Sequence, residues 1–330
     1  MRGTKLLRQL HLWVLAALAS ILLAGCGNEY VVLNPKGPVA QTQYDLIIIS
    51  TILCAIIIIP VLALTAFIVF RYRDTPENKA SYKPEWAHST TLEVVWWVIP
   101  VIIVALLAFF TVRDTYALKE SPNKEVEPIT IQVTSLDWKW LFTYPEQGIA
   151  TVNHLEIPVG VPVQFHLSAE APMNSFWVPE LGGQIYAMSG MTTELYLQAD
   201  EAGEFDGRGA NFTGEGFAHM NFKVVAKPQE EFDQWVKEVK GTTPALTEEG
   251  YEELKQPGLS EVMTFSAYPE GLFEEIVSKY SHGHPMHTSD SAETNGTHES
   301  HDMTESDETH ESHDTDESHE SHDMHESHGE

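Results

Sequence analysis

Two long apolar segments in the first third of the chain most constrain how it folds. Leu46–Phe70 contains no charged residue and is longer than the ~20 residues that a helix needs to cross a bilayer. Val94–Val112 is a second uncharged run, with two tryptophans near its start, where tryptophan favours the membrane interface. We therefore predict a transmembrane helical hairpin within residues 26–113, with spans at about residues 46–70 and 92–112.

Charged residues beside the spans predict the orientation of this hairpin. Arg71 and Arg73 directly follow the first span, and positive charge favours the cytoplasmic side. The chain after about Arg113 is then extracytoplasmic. Glu93 lies at the cytoplasmic start of the second span, where a carboxylate is either simply solvated or part of a proton path. Cys54 falls inside the first span, where we expect it to act as a small apolar packing residue.

The N-terminus has the features of a secretory signal. Arg2, Lys5 and Arg8 precede a short apolar run, which ends in small residues. The sequence Leu22-Leu23-Ala24-Gly25-Cys26 resembles a bacterial lipobox. We expect residues 1–25 to be a lipoprotein signal peptide and Cys26 to be the lipidated first residue of the mature chain. The alternative is an ordinary signal peptide with a chance cysteine.

Alternating apolar and polar residues predict an all-β extracytoplasmic domain over residues 126–227. The pattern has the period of half-buried strands in Ile129–Val133, Val161–Leu167, Thr193–Gln198 and Phe222–Ala226. Short strands at this spacing favour a β-sandwich or Greek-key barrel. Residues 228–280 then become helical, with an apolar stripe at Phe232, Trp235, Val236 and Val239 and a weaker helix near Pro269–Tyr280.

The net charge of −29, from 48 acidic and 19 basic residues, argues against nucleic acid as a partner. About half of it lies in residues 281–330, which have 15 acidic residues, 11 histidines and no Lys or Arg. Such a tail cannot build a core, and we expect it to be disordered. Its repeated His-Glu-Ser-His-Asp units could bind Zn²⁺, Ni²⁺ or Cu²⁺ weakly. Alternatively, the tail could only raise the solubility of the protein. The candidate ligands are His298, His301, His310, His313, His319 and His322.

Several local motifs, in this order, resemble subunit II of the haem-copper respiratory oxidases. They are Leu92-Glu93-Val94-Val95-Trp96-Trp97-Val98-Ile99-Pro100, Asp137-Trp138-Lys139-Trp140, Ser175-Phe176-Trp177-Val178-Pro179 and Gly190-Met191. The resemblance implies that the external domain is a cupredoxin-like Greek-key sandwich. It also implies that Glu93 lies at the cytoplasmic mouth of the proton path known as the K-channel.

The cytochrome c oxidases of that family hold a dinuclear copper centre, CuA, in this domain. Its ligands are two bridging thiolates, two imidazoles, a thioether and a glutamate carbonyl. At the matching positions this sequence has Asn174 and Phe217 for the imidazoles, Gly209 and Thr213 for the thiolates, and Asn211 for the glutamate. Met220 alone is retained. The two cysteines of the chain lie elsewhere, so we expect no metal in the folded domain.

Subunit II without copper is characteristic of the quinol oxidases. Together with the stretch Val32-Leu33-Asn34-Pro35-Lys36-Gly37-Pro38, the sequence looks most like the aa3-type menaquinol oxidases of Gram-positive bacteria. The resemblance implies a non-redox subunit of a proton-translocating quinol:oxygen oxidoreductase in the bacterial cell membrane. Its partners would be membrane lipid, small membrane subunits and a catalytic subunit I with haems and CuB, but not cytochrome c.

A different class of function remains open. The chain could be a surface metal-binding lipoprotein on a cupredoxin-like scaffold, without a respiratory partner. Two transmembrane helices argue against this interpretation, because a metal scavenger on the cell surface needs only the lipid anchor.

Overall fold

The computed structural model describes residues 30–76, 78, 80 and 85–281. Over these residues the chain forms two long apolar helices followed by a β-sheet domain, which confirms the predicted fold class. The predicted lipidation site Cys26 and the histidine-rich tail beyond Ser281 lie outside the described residues.

Two helices form the N-terminal part of the structure. After a 3-10 turn at Val31–Leu33, helix α1 spans Pro38–Arg71 and helix α2 spans Thr90–Ala117. Both are long and apolar enough to cross a membrane, and nearly all their apolar side chains are exposed in the isolated chain. Helix α1 begins well before the apolar run. Its first turn carries a proline, whose fixed φ suits a helix start, and it packs on the β-domain through Val39 and Ala40.

The β-domain is built from short strands in two sheets. In the described chain they are β1 Ile129–Leu136, β2 Lys139–Tyr144, β3 Ile149–Val152, β4 His154–Pro158, β5 Val163–Ala169, β6 Asn174–Trp177, β7 Ile185–Ala187, β8 Thr193–Leu197, β9 Gly203–Gly209, β10 Asn221–Lys227 and β11 Met263–Phe265.

The strand order is that of a sandwich with crossovers. The first sheet has the order β11-β3-β2-β1-β5-β8, and the second has the order β4-β10-β9-β6-β7. β1 pairs in parallel with β5, and β10 pairs in parallel with β4, whereas the other pairs are antiparallel. The parallel pairs require the chain to cross between sheets, so neighbouring strands are often distant in sequence.

Aromatic side chains fill the space between the sheets. The rings of Phe176 and Phe222 stack with centroids 5.2 Å apart and an interplanar angle of 12°. Trp140 meets Phe176 edge-on at 5.6 Å. Position 207 is a glycine because a Cβ there would overlap the Phe222 ring. Such aromatic pairs add about 0.5–1.5 kcal/mol to the free energy of burying their surface.

The C-terminal extension packs on the sandwich in two places: its first helix joins the main core cluster, and the later segments cover the outer face of the first sheet. It contains helices α3 Gln229–Thr242, α4 Glu248–Leu254 and α5 Leu272–Tyr280, and it also supplies strand β11, which pairs with β3. The predicted stripe of α3 buries Phe232, Val236 and Val239. Because the later segments lie on the outer face, β2 is buried along its whole length and lacks the usual alternation of buried and exposed residues.

The carboxylate of Glu170 binds the end of this extension to the sandwich through hydrogen bonds. Glu170, just after β5, accepts hydrogen bonds from Lys279, from Tyr280 Oη at 3.3 Å and from Tyr251 Oη at 3.4 Å. The hydrogen bond from Lys279 to Glu170 raises the pKa of that lysine. This cluster joins α4 and α5 to the sandwich.

Helix α1 is bonded directly to the β-domain at its start. Lys36 N donates to Glu180 O at 2.8 Å, Lys36 O accepts from Asp200 N at 2.9 Å, and Ala40 N donates to Leu181 O at 3.2 Å. Gly37 lies so close to the backbone that a Cβ there would overlap the Gln198 carbonyl oxygen. The membrane hairpin and the β-domain are therefore joined by main-chain contacts as well as by the connecting chain.

The aromatic core predicts a large and position-specific effect of truncation. We expect Phe176→Ala to lower the free energy of unfolding by about 3–5 kcal/mol, because it leaves a cavity between the sheets. Chemical denaturation of the full-length protein measures this change. The matched control is Phe212→Ala, whose side chain is 76% exposed and should change stability by less than about 0.5 kcal/mol. Equal losses in both variants would contradict this account of the core.

Candidate functional site

Glu93 lies in the first turn of α2, beside a histidine that sequence reasoning did not single out. Its Oε2 atom is 2.8 Å from Nε2 of His88, and the side chain of Glu93 is 46% exposed in the isolated chain. The helix begins at Thr90, and Glu93 N donates to Ser89 O at 3.0 Å. A carboxylate at this end of a helix is stabilised by the partial positive charge of the helix dipole.

The pairing of His88 with Glu93 depends on where the helix starts. The residues preceding Thr90 are not helical, so the chain turns and brings a residue five positions earlier against the first helical turn. The sequence signal was a histidine close to a membrane-edge carboxylate, but the spacing alone does not show that the side chains meet. Imidazole and carboxylate side chains can both bind and release protons, so the pair is chemically suited to proton transfer.

The six positions that are predicted to match the copper ligands fall in β6, at the end of β9 and in the loop before β10. At the centre, Asn174 Nδ2 donates to Met220 Sδ at 2.8 Å, and both side chains are buried. Asn174 Oδ1 also accepts from Ser175 N at 2.7 Å. Gly209 lies beside this pair, because a Cβ there would be 3.0 Å from Asn174 Oδ1. The amide and the thioether therefore bond to one another at the centre of the site.

The other three positions point to different partners. Asn211 Nδ2 donates to Met173 O at 3.0 Å, and the Phe217 ring meets the Phe212 ring edge-on at 5.5 Å. Thr213 accepts a hydrogen bond at its main-chain oxygen from Trp138 Nε1 at 3.1 Å. The structure thus brings Asn174, Gly209 and Met220 together and places Asn211, Thr213 and Phe217 along the adjoining loop.

Trp138 holds this loop in place. It has a φ of 65°, an uncommon value for a bulky residue, in the β1–β2 hairpin. Its ring lies against Gly216, where a Cβ would overlap the indole. Trp140, the other tryptophan of the Asp137-Trp138-Lys139-Trp140 motif, is fully buried in the core. Trp138 instead packs on the loop and donates a hydrogen bond to it.

The donor set at the copper positions is chemically different from that of CuA. It offers one thioether and one amide side chain at the centre, with no thiolate or imidazole at any of the six positions. Within residues 30–76, 78, 80 and 85–281, no group of three or more His, Cys, Asp or Glu side chains is arranged to hold a metal ion. The free cysteine of this part, Cys54, lies in α1. Soft thiolates are the ligands that retain Cu(I).

Comparison with known proteins decides the family. The family model for the transmembrane domain of cytochrome c oxidase subunit II matches residues 37–113, which include α1 and most of α2. Quinol oxidase subunit 2 of Bacillus cereus is 52% identical over 262 residues, which are 78% of this chain and 90% of the relative. The chain belongs to the quinol oxidase subunit 2 family. It is therefore a membrane subunit of a terminal quinol oxidase, and the predicted family is confirmed.

More distant relatives of this quinol oxidase subunit 2 extend beyond Bacillus. Cytochrome bo(3) ubiquinol oxidase subunit 2 of Pseudomonas putida is 44% identical over 297 residues, covering 87% of this chain and 94% of the relative. Among solved structures, the periplasmic domain of cytochrome oxidase subunit II of Bradyrhizobium japonicum is 21% identical, with a TM-score of 0.34. That match covers 38% of this chain and 97% of the solved domain.

Proposed function

We propose that this chain is a non-redox, copper-free subunit of a proton-translocating quinol:oxygen oxidoreductase. The hydrogen bond between Asn174 and Met220 is the observation that carries this proposal, because it joins two of the former ligand positions to each other. One thioether without thiolates does not retain copper. The fold persists without a metal because aromatic packing and the Trp138 contact stabilise the same region.

A subunit without copper has no means of receiving electrons from a soluble donor. The electrons then pass from quinol, within the membrane, to haems and CuB in a catalytic subunit I, and cytochrome c is not a partner. Menaquinol is the proposed substrate of the complex. The relatives are named quinol or ubiquinol oxidase subunits, which supports a quinol as the substrate class.

The chain also serves as a scaffold in this proposal. The apolar side chains of α1 and α2 are exposed on nearly all sides, which leaves wide surfaces for subunit I, the small membrane subunits and lipid. Lipidation of Cys26 adds an anchor on the extracytoplasmic side. The main-chain hydrogen bonds at Lys36 and Ala40 then keep the β-domain close to the outer membrane surface.

Glu93 and His88 form the proton-uptake point in this proposal. Both lie at the start of α2, which is the cytoplasmic end of the second span in the predicted orientation. Each side chain takes a proton from the cytoplasm and releases it to the path inside subunit I, while their 2.8 Å contact allows transfer between them. This chain therefore delivers protons to the reaction without taking part in electron transfer.

We expect Glu93→Ala to slow proton delivery during haem reduction, while the oxidase still assembles. The measure is the rate of haem reduction by quinol in the purified complex, followed optically. The matched control is Glu85→Ala, an exposed carboxylate in the segment before α2. The rate of haem reduction in Glu93→Ala should be lower than in Glu85→Ala by about tenfold or more, since general acid–base groups contribute about 10²–10⁴-fold to reaction rates. Unchanged turnover of the assembled Glu93→Ala enzyme would contradict the proposed role of Glu93 in proton uptake.

An optical spectrum and metal analysis of the purified complex test the copper-free assignment. We expect haem bands without the near-infrared absorption of CuA, since the described chain offers no thiolate at the ligand positions. The full complex should oxidise menaquinol and should not oxidise reduced cytochrome c. Near-infrared CuA absorption that arises from this chain would refute the assignment.

The repeated His-Glu-Ser-His-Asp unit supports a second role for the tail. It occurs at residues 298–302, 310–314 and 319–323, which include His298, His301, His310, His313, His319 and His322. Imidazoles beside carboxylates suit weak binding of Zn²⁺, Ni²⁺ or Cu²⁺. Metal buffering at the cell surface would be an added function of the oxidase subunit. As the sole function, it would correspond to a metal-binding lipoprotein on a cupredoxin-like scaffold.

Truncation separates these two roles. We expect removal of residues 281–330 to leave quinol oxidase activity intact and to abolish retention on a nickel column, because the removed segment holds 11 of the 16 histidines. The full-length complex is the control. Equal retention of both forms would show that the tail is not the metal-binding part. If the full-length protein purifies without any haem subunit, the lipoprotein alternative would be favoured.

A further inference from the structure

A cavity of about 460 Å³ lies between the outer face of the first sheet and the C-terminal extension. Its size is within the range of small-molecule sites in proteins. The cavity lies apart from both Glu93 and the copper positions, so the proposed function does not use it. The residues on which the argument depends are Lys139, Leu246, Glu253, Leu254, Met263 and Phe265.

Lys139 is the cationic group in the lining of this cavity, and it is 3% exposed. Its Nζ donates to the main-chain oxygens of Gln256 at 2.7 Å and Asp137 at 3.2 Å. An ammonium group has three N–H donors, so these two hydrogen bonds leave the third donor of Lys139 available. Among the described residues, no carboxylate lies within ion-pair distance of Lys139. Burial lowers the pKa of this lysine, while the nearby charge of Asp137 opposes that shift.

The wall of the cavity is preformed. The loop that closes it is held at one end by Lys139 bonding to Gln256 and at the other by Asn153 Nδ2, which donates to Ser260 O at 2.9 Å. Apolar side chains of α4, β11 and the segment before α4 line the rest. Burying the charge of Lys139 without an ion pair is costly, and a ligand that places an anion at bonding distance lowers that cost.

We propose that this cavity binds a small organic monocarboxylate. The carboxylate bonds to the free donor of Lys139, and a short apolar chain lies along Leu254, Met263 and Phe265. Glu253, which is exposed and also lines the cavity, repels ions of higher charge. A singly charged ligand with an apolar part is therefore favoured over inorganic phosphate.

Hexanoate is the probe for this site, used with the intact purified protein in detergent. We expect hexanoate to raise the unfolding temperature of the β-domain in a saturable way, since a ligand that binds only the folded state stabilises it. Neutral hexanamide and inorganic phosphate should have no saturable effect at the same concentration. Tryptophan fluorescence during heating measures the transition. An equal response to hexanamide, or no response to hexanoate, would overturn the proposal.

Variants of the two charged residues give changes of opposite sign. Lys139→Met should abolish the hexanoate response, whereas the exposed control Lys237→Met should keep it. Glu253→Gln should lower the hexanoate concentration at half-saturation by about threefold, through loss of a like charge at the rim of the site. The control for it is Glu252→Gln, one residue earlier and outside the cavity lining. Because Glu253 is exposed, its variant gives a result even where Lys139→Met fails to fold. An unchanged half-saturation in Glu253→Gln would contradict the assigned position of the ligand.

Discussion

The main-chain hydrogen bonds between the start of helix α1 and the β-domain fix the position of that domain on the transmembrane hairpin. The main chain at Lys36 and Ala40 bonds to the domain, and Gly37 fits there because it has no Cβ. Without these contacts, the transmembrane hairpin and the sandwich would be joined by the connecting chain and by side-chain packing alone. With them, the first turn of a membrane helix becomes part of the domain core, since Val39 packs among the core residues of the sandwich.

In the β-domain, side-chain packing stabilises the positions that are predicted to match the copper ligands. Asn174 and Met220 bond to each other, and Trp138 holds the loop that carries the remaining positions. Stability then depends on packing, with Phe142, Phe176 and Phe222 in mutual contact between the sheets. Burial of apolar surface is non-directional, so it stabilises a sandwich without the coordination geometry that a metal centre requires.

Much of the fold could be predicted from the sequence, because its strongest signals are local. Apolar length predicts α1 and α2, and the alternation at Ile129–Val133 and Phe222–Ala226 matches β1 and β10. The pattern did not predict α4 or β11. Helix α4 is a single short segment, and β11 forms only because the extension returns to pair with β3. Strand β2 also lacks alternation, since both of its faces are buried.

The sequence by itself determined the class of the protein, with two membrane spans and an all-β domain. These two features follow from composition and periodicity, whereas the predicted copper positions follow from the resemblance of local motifs to a known family. Only the tertiary structure decided that His88 meets Glu93, that Asn174 bonds to Met220, and that Lys139 is buried beside a cavity, with no carboxylate of the described residues within ion-pair distance. Each of these depends on where separate segments come together in space, and residue spacing along the chain does not fix that.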